Sequence, residues 1–152
     1  MQLQNKNIVI IGGTTGMGLS AARSFIGEGA RIVVVGRNEQ SVHAAGEELG
    51  EAAIAFSADA SQEDTAVRAI QICREQFGGF DGLYHVAGGS GRNMGDGPLH
   101  ELSLEGWNWT LHMNLTALML SNQAAVRAFL ALKKGGTILN MGSVLGFSPS
   151  PR

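Results

Sequence analysis

The sequence predicts an α/β fold, a doubly wound parallel sheet of five strands with helices on its faces. Three observations predict it. Short apolar runs rich in β-branched residues alternate with stretches of helical periodicity along the whole chain. The first of these runs breaks directly into a glycine-rich turn that leads into a helix. The first and fourth runs both end in paired glycines, Gly12-Gly13 and Gly88-Gly89, as two neighbouring strands would if they flanked a ligand crevice where strand order reverses.

Taken in order, Ile8–Ile11 is an uninterrupted β-branched run, as a strand covered on both faces requires; a half-exposed strand would alternate. A turn through Gly12, Gly16 and Gly18 follows. From about Gly16 a helix with Leu19, Ala22, Phe25 and Ile26 on one side runs to Glu28-Gly29, where glycine can take the left-handed cap. Ile32–Val35 is a second buried strand, and Asn38 caps a helix that turns Val42, Ala45 and Leu49 inward. Ala52–Phe56 is a weaker third strand, followed by Asp59. Ser61-Gln-Glu-Asp64 has the form of a capping box with Asp in place of Glu, opening a helix through Val67, Ile70, Cys73 and Phe77 to Gly78-Gly79. Leu83–Val86 is the fourth strand. Past the loop from Gly88 to Pro98, Ser103 and Glu105 open the longest helix, which reaches Lys133-Lys134 and stops at Gly135-Gly136. Thr137–Met141 is the fifth strand.

Composition agrees with one globular domain over residues 1–152. Of the 152 residues, 44% are hydrophobic and 16% charged, enough to build a sizeable core. The 22 glycines are about twice the average usage and mark many sharp strand ends. A formal net charge of −2 supplies neither a basic field for nucleic acid nor a polybasic patch for a membrane surface. The one cysteine, Cys73, excludes an intramolecular disulfide and a cysteine-built zinc site, and suits a reducing compartment. The N-terminus lacks the regions of a signal peptide, and no run approaches the roughly 20 apolar residues of a membrane span, so a cytoplasmic protein is expected. His43, His85, His100 and His112 have no metal-ligand spacing, and each reads as a surface or core histidine.

The chemistry begins at the glycine turn. Gly12-x-x-x-Gly16-x-Gly18 departs from the more familiar Gly-x-Gly-x-x-Gly spacing, but it sits between a strand and a helix as a dinucleotide fingerprint must. Glycines let the backbone approach a pyrophosphate, and free N–H groups at the helix N-terminus hold an anion. The alternative is a tight connection with no ligand. About twenty residues beyond such a turn an acidic residue would bind the ribose 2′-hydroxyl of NAD, whereas an arginine favours the 2′-phosphate of NADP. Here Gly36-Arg37-Asn38 stands at that place, which favours NADP; a merely solvated Arg37 is the alternative, and Glu39 nearby keeps NAD open.

These residues, in this order, resemble the N-terminal part of a short-chain dehydrogenase/reductase, with the likeness extending over essentially the whole chain. The family's Thr-Gly-x-x-x-Gly-x-Gly stands as Ile11-Gly12-Gly13-Thr14-Thr15-Gly16-Met17-Gly18. Asp59, followed by Ala60, falls where the family places an adenine-binding Asp. The Asn-Asn-Ala-Gly motif appears as His85-Val86-Ala87-Gly88, with both asparagines replaced. Asn114, in Met-Asn-Leu-Thr, matches the asparagine of the family's catalytic tetrad, and Asn140-Met-Gly-Ser143 matches the segment that ends in its serine. The resemblance implies a Rossmann-type sheet, and an NADP or NAD cofactor held by Gly12, Thr14, Thr15, Gly16, Met17, Gly18, Arg37, Asn38, Asp59, Ala60, Ala87 and Gly88. It further implies hydride transfer to or from a small-molecule carbonyl or alcohol substrate.

In that chemistry Ser143 hydrogen-bonds the reacting oxygen and Asn114 holds a water of the proton relay. The family's proton donor is the Tyr of a Tyr-x-x-x-Lys motif after the serine. Only residues 144–152 follow Ser143, and the sole tyrosine, Tyr84, has Gly88 where the Lys is needed. The chain therefore reads as a truncated copy, with the 152 residues alone expected to be inactive. A catalytically silent dinucleotide-binding protein, acting as a sensor or partner subunit, is the alternative. The helix over residues 105–133 is apolar on more than one side, through Trp107, Leu111, Leu115, Leu118, Met119, Val126 and Phe129. By resemblance it packs against a second copy, giving a homo-oligomer; burial within the same chain is the other possibility.

Overall fold

The computed structural model describes residues 1–148. Five strands, β1 (Asn7–Ile11), β2 (Arg31–Gly36), β3 (Ala53–Ser57), β4 (Gly82–His85) and β5 (Thr137–Asn140), form one parallel sheet in the order β3-β2-β1-β4-β5. The helices α1 (Gly16–Gly27), α2 (Glu39–Leu49), α3 (Thr65–Phe77), α4 (Leu104–Leu111) and α5 (Ala117–Ala131) make the crossovers. None of these helices is long and apolar enough to cross a membrane. The expected Rossmann-type sheet is present, with β1 and β4 adjacent where the order reverses.

The period of two along each strand builds two cores. Val9, Ile11, Val33, Val35 and Leu83 face α3 and α5, where Ala66, Ala69, Ile70, Cys73, Ala117, Ala124 and Ala125 close over them. Ile8, Ile10, Ile32, Val34 and Tyr84 face α1 and α2, covered by Ala22, Ala45 and Leu49. This double burial is why β1 and β2 read as continuous apolar runs. Val9, Ile10 and Ile11 are fully buried, each contributing roughly 1.5–3 kcal/mol relative to exposure.

Several local expectations hold. Asn38 caps α2, its Oδ1 accepting the Ser41 N–H at 2.9 Å, and the Ser103 hydroxyl caps α4 by accepting the Gly106 N–H at 2.9 Å. Gly29 and Gly78 take the left-handed conformation after α1 and α3, with φ of 90° and 80°.

Others are corrected. The capping box at Ser61–Asp64 does not form. α3 begins at Thr65 behind Asp64, whose side chain caps nothing. The Ser61 hydroxyl instead donates to Asp59 Oδ1 at 2.7 Å, because a turn at residues 59–62 brings that carboxylate closer than the helix terminus. The long helix is not one α-helix. A π-helical turn over His112–Thr116 separates α4 from α5. α5 also ends at Ala131, earlier than expected, with Lys133 rather than a glycine taking a positive φ of 50°. Gly136 serves another purpose: a Cβ there would run into the Phe129 ring, which stacks on Phe80 at 4.8 Å.

The long helical segment buries one face, through Met113, Ala117, Ser121, Ala124 and Ala125, and leaves Trp107, Leu115, Met119 and Val126 about half exposed or more. Among the described residues nothing covers that second apolar side. β5 is an edge strand among the described residues, and Leu139 on it is 51% exposed.

Candidate functional site

The parallel register brings the C-terminal ends of the strands level, with Ile11 beside both Val35 and His85, and His85 beside Asn140. The chain leaves β1 toward β2 on one side, while β4 lies on the other, and such a divergence opens a crevice at the strand ends. A crevice of about 360 Å³ lies there. Its wall includes Gly12, Thr14, Thr15, Gly16 and Met17 of the turn, Arg37 and Asn38 after β2, Ala60 after β3, and Ala87 and Gly88 after β4. Four sequence-predicted positions, Gly18, Asp59, Asn114 and Ser143, lie outside that wall.

Close packing makes the glycine turn. Gly12 has φ of 90°, and a Cβ on it would stand 2.6 Å from the Ala87 nitrogen; a Cβ on Gly18 would collide with the Gly12 carbonyl. The Gly12 and Gly13 N–H groups donate to the Val35 carbonyl at 2.9 and 3.0 Å, folding the turn down onto β2. At the start of α1 the N-cap, Thr15, makes no side-chain hydrogen bond to the first-turn amides. Those donors face the crevice without an acceptor from their cap, which suits an anion carried by a ligand.

Arg37 is the only charged side chain in the wall among the described residues. Its Nη1 lies 3.9 Å from Asp59 Oδ2. Burial raises the pKa of the Asp59 carboxyl, but hydrogen bonds from the Ser61 N–H and hydroxyl, with the Arg37 charge beside them, outweigh this and leave it below its ordinary value. Asp59 is thus ionised at neutral pH and occupied by Ser61 and Arg37. Over half of the Arg37 side chain remains exposed and available.

Asn114 sits in the π-helical turn. Its Oδ1 accepts the Gly89 N–H at 2.9 Å, while its Nδ2 donates to the Gly89 carbonyl at 2.8 Å and to the Thr110 carbonyl at 2.9 Å. A side-chain amide that takes the carbonyl one turn back competes with the regular backbone ladder, and helices widen at such insertions. Ser143 lies just beyond β5, exposed, its Oγ accepting the Leu145 N–H at 3.2 Å. Tyr84 is buried against Phe25, ring centroids 6.2 Å apart, on the α1 face of the sheet. Burial also pushes the Cys73 thiol up to about 12, with the Asp81 charge adding to it, so this thiol stays protonated.

Ser41 and Met113 line the crevice without having been singled out in the sequence. The signal for Ser41 was its place three residues after the Asn38 cap. Met113 carries none of its own, being placed by the widened turn. His85, at the first of the two positions where the resemblance places asparagines, is buried and bonded at both ring nitrogens.

Comparison with known proteins agrees with this geometry. The family description "short chain dehydrogenase" matches residues 6–152. A sorbitol dehydrogenase of Cereibacter sphaeroides is 29% identical over 96% of this chain and 56% of its own length. A 2,5-dichloro-2,5-cyclohexadiene-1,4-diol dehydrogenase of Sphingobium indicum is 32% identical over 98% of this chain and 59% of its own. Among solved structures, a short chain dehydrogenase from Bacillus anthracis superposes with a TM-score of 0.88 at 27% identity, covering 99% of this chain and 60% of that one. A short-chain type dehydrogenase/reductase from Mycobacterium ulcerans gives 0.86 at 27%, covering 95% and 54%. The chain thus spans a little over half the length of the proteins it matches.

Proposed function

Since the chain belongs to the short-chain dehydrogenase family, we propose that it forms the nucleotide-binding part of an NADP-dependent oxidoreductase that transfers hydride between the nicotinamide and a carbonyl or alcohol. One observation carries the reading: the crevice is floored by a turn into which no Cβ fits at Gly12 or Gly18, and its only charged wall residue among those described is Arg37. A diphosphate needs that close backbone, and a 2′-phosphate needs that guanidinium.

In this reading the first-turn amides of α1 and the Thr14–Met17 backbone hold the pyrophosphate. Arg37, Asn38 and Ser41 surround the adenosine ribose, and Ala60, Ala87 and Gly88 pack along the dinucleotide. Hydride donation or acceptance is what the nicotinamide supplies when bound. Ser143 already accepts a hydrogen bond from Leu145, so its own hydroxyl hydrogen is free to be donated to the reacting oxygen. Both amide hydrogens of Asn114 are committed to Gly89 and Thr110, so a relay water bonds to its remaining acceptor capacity. The exposed apolar side of the long helix, with Trp107, Leu111, Leu115 and Met119, is proposed to pack against a second copy. A single reduced cysteine favours a cytoplasmic setting.

The test is a fluorescence titration of the full-length protein with NADPH and NADH, parent against Gly18→Val. It is followed by NADPH oxidation with a panel of ketones, aldehydes and quinones, parent against Ser143→Ala. Binding of NADPH that Gly18→Val abolishes, and turnover that Ser143→Ala removes, are expected. A parent that binds neither nucleotide would overturn the proposal.

A further inference from the structure

The imidazole of His85 is 1% exposed, at the C-terminal end of β4. Its Nε2 lies 3.0 Å from the carbonyl of Ala87, two residues on, and its Nδ1 lies 2.9 Å from the hydroxyl of Ser121 on α5. A carbonyl can only accept, so Nε2 carries a hydrogen and donates it. The bare Nδ1 and the Ala117 carbonyl one turn back on α5, each 2.9 Å from the fully buried Ser121 hydroxyl, then share its single hydrogen as a bifurcated bond. Burial lowers the pKa of this ring below its ordinary value of 6.5, with the Ala87 bond partly offsetting that, so the neutral tautomer prevails at pH 7.

The segment held by this ring is a wall of the crevice. The Val86 and Ala87 N–H groups both donate to the Ile11 carbonyl, at 2.8 and 2.9 Å, and the Ala87 nitrogen is the atom nearest to where a Gly12 Cβ would stand. With its N–H tied to β1 and its C=O tied to His85, Ala87 has both backbone groups committed, and its position sets the width between the glycine turn and the β4 exit. A side chain that filled the same volume without a donor would leave the Ala87 carbonyl free to rotate toward the crevice.

We propose that His85, braced by Ser121, is a positioning residue for the nucleotide: it holds the Ala87 carbonyl back and keeps the 86–88 segment seated against Gly12. The proposal rests on the nucleotide-binding reading for its consequence, and on the hydrogen bonds alone for its geometry. Two readouts separate these. The first needs no ligand: in the full-length protein, amide hydrogen exchange at Val86 and Ala87 is expected to speed up about tenfold in His85→Phe relative to amides of β2, the factor for one hydrogen bond. The second is NADPH affinity of the folded protein, expected to weaken about tenfold in His85→Phe. His85→Asn keeps an N–H donor and should stay within about threefold of the parent in both, while a purely space-filling role would favour Phe over Asn. Ser121→Ala, which removes the brace and keeps the ring, should fall between the two. Unchanged exchange in His85→Phe overturns the proposal whatever the nucleotide result, as does an affinity loss in His85→Asn equal to that in His85→Phe. Faster exchange in His85→Phe together with a parent that binds no nucleotide would overturn the consequence and, with it, the functional reading, but not the geometry.

Discussion

Alanine at Gly12 and at Gly16 separates two costs that a glycine turn combines. Both positions have positive φ, 90° and 51°, so both substitutions meet backbone strain, worth roughly 1–2 kcal/mol each. Only Gly12 meets anything else. Its new Cβ would stand 2.6 Å from the Ala87 nitrogen and 2.9 Å from the Ala87 Cα, whereas at Gly16 nothing lies within 4 Å. Backbone atoms cannot swing aside as a side chain could. Relief requires moving the β4 exit, which stretches the hydrogen bond from the Ala87 N–H to the Ile11 carbonyl, 2.9 Å long. Overpacking of that kind costs about 1–3 kcal/mol, so Gly12→Ala should lose roughly 2–5 kcal/mol against roughly 1–2 for Gly16→Ala. Equilibrium urea unfolding of the full-length protein reads the extra cost of about 1–3 kcal/mol as a midpoint lower by about 0.3–3 M for Gly12→Ala than for Gly16→Ala, given a slope of about 1–3 kcal/mol/M. Equal midpoints for the two variants would refute the claim that the turn and the β4 exit are in contact.

Three further outcomes follow from named contacts. Arg37→Ala should weaken NADPH binding about tenfold to a hundredfold and leave NADH nearly unchanged, since a charge-assisted arginine–phosphate contact is worth about 1.5–3 kcal/mol; calorimetric titration decides it, and equal losses for the two would show that Arg37 does not read a 2′-phosphate. Asn114→Ala should cost about 1 kcal/mol and speed exchange at the Gly89 amide, which loses its acceptor; unchanged exchange there would mean that the loop is held by something else. At Asp81, burial raises the carboxyl pKa, but the Lys134 hydrogen bond, the Asn7 N–H and the charges of Lys134 and Lys6 outweigh it, so the folded-state pKa lies below the ordinary 3.8. A depressed carboxyl contributes stability that is present above the unfolded pKa and lost as pH falls through 3.8 toward the lower folded value. Acid titration of unfolding should accordingly be flatter in Asp81→Asn than in the parent, and parallel profiles would show that the pair contributes nothing.

Much of this molecule was legible residue by residue. The β-branched runs of β1 and β2 announced strands buried on both faces, and Val9/Ile11 and Ile8/Ile10 do divide between two cores. Asn38, Ser103, Gly29 and Gly78 announced helix ends that the backbone realises, because a cap is decided within one turn of chain. The same locality misled at Ser61, where the carboxylate of Asp59, two residues away, outcompeted the helix terminus for the hydroxyl. The crevice was foreshadowed by the glycine pairs after the first and fourth strands, since an empty side-chain position is visible in sequence even when what fills its space is not.

Sequence by itself therefore determined the elements, their double burial, the glycine turn and the family likeness, all set by composition and by interactions within a few residues. Tertiary structure alone decided that Ala87 is what the missing Gly12 Cβ makes room for, and that His85 meets Ser121 36 residues away. It also decided that Asn114 clamps Gly89 from a widened helical turn, and that Asp59 neutralises part of the Arg37 charge. The physical reason is register: these contacts depend on how β4 aligns with β1 and how α5 lies on the sheet, and a shift of one residue in either would replace every partner without changing a letter of the sequence.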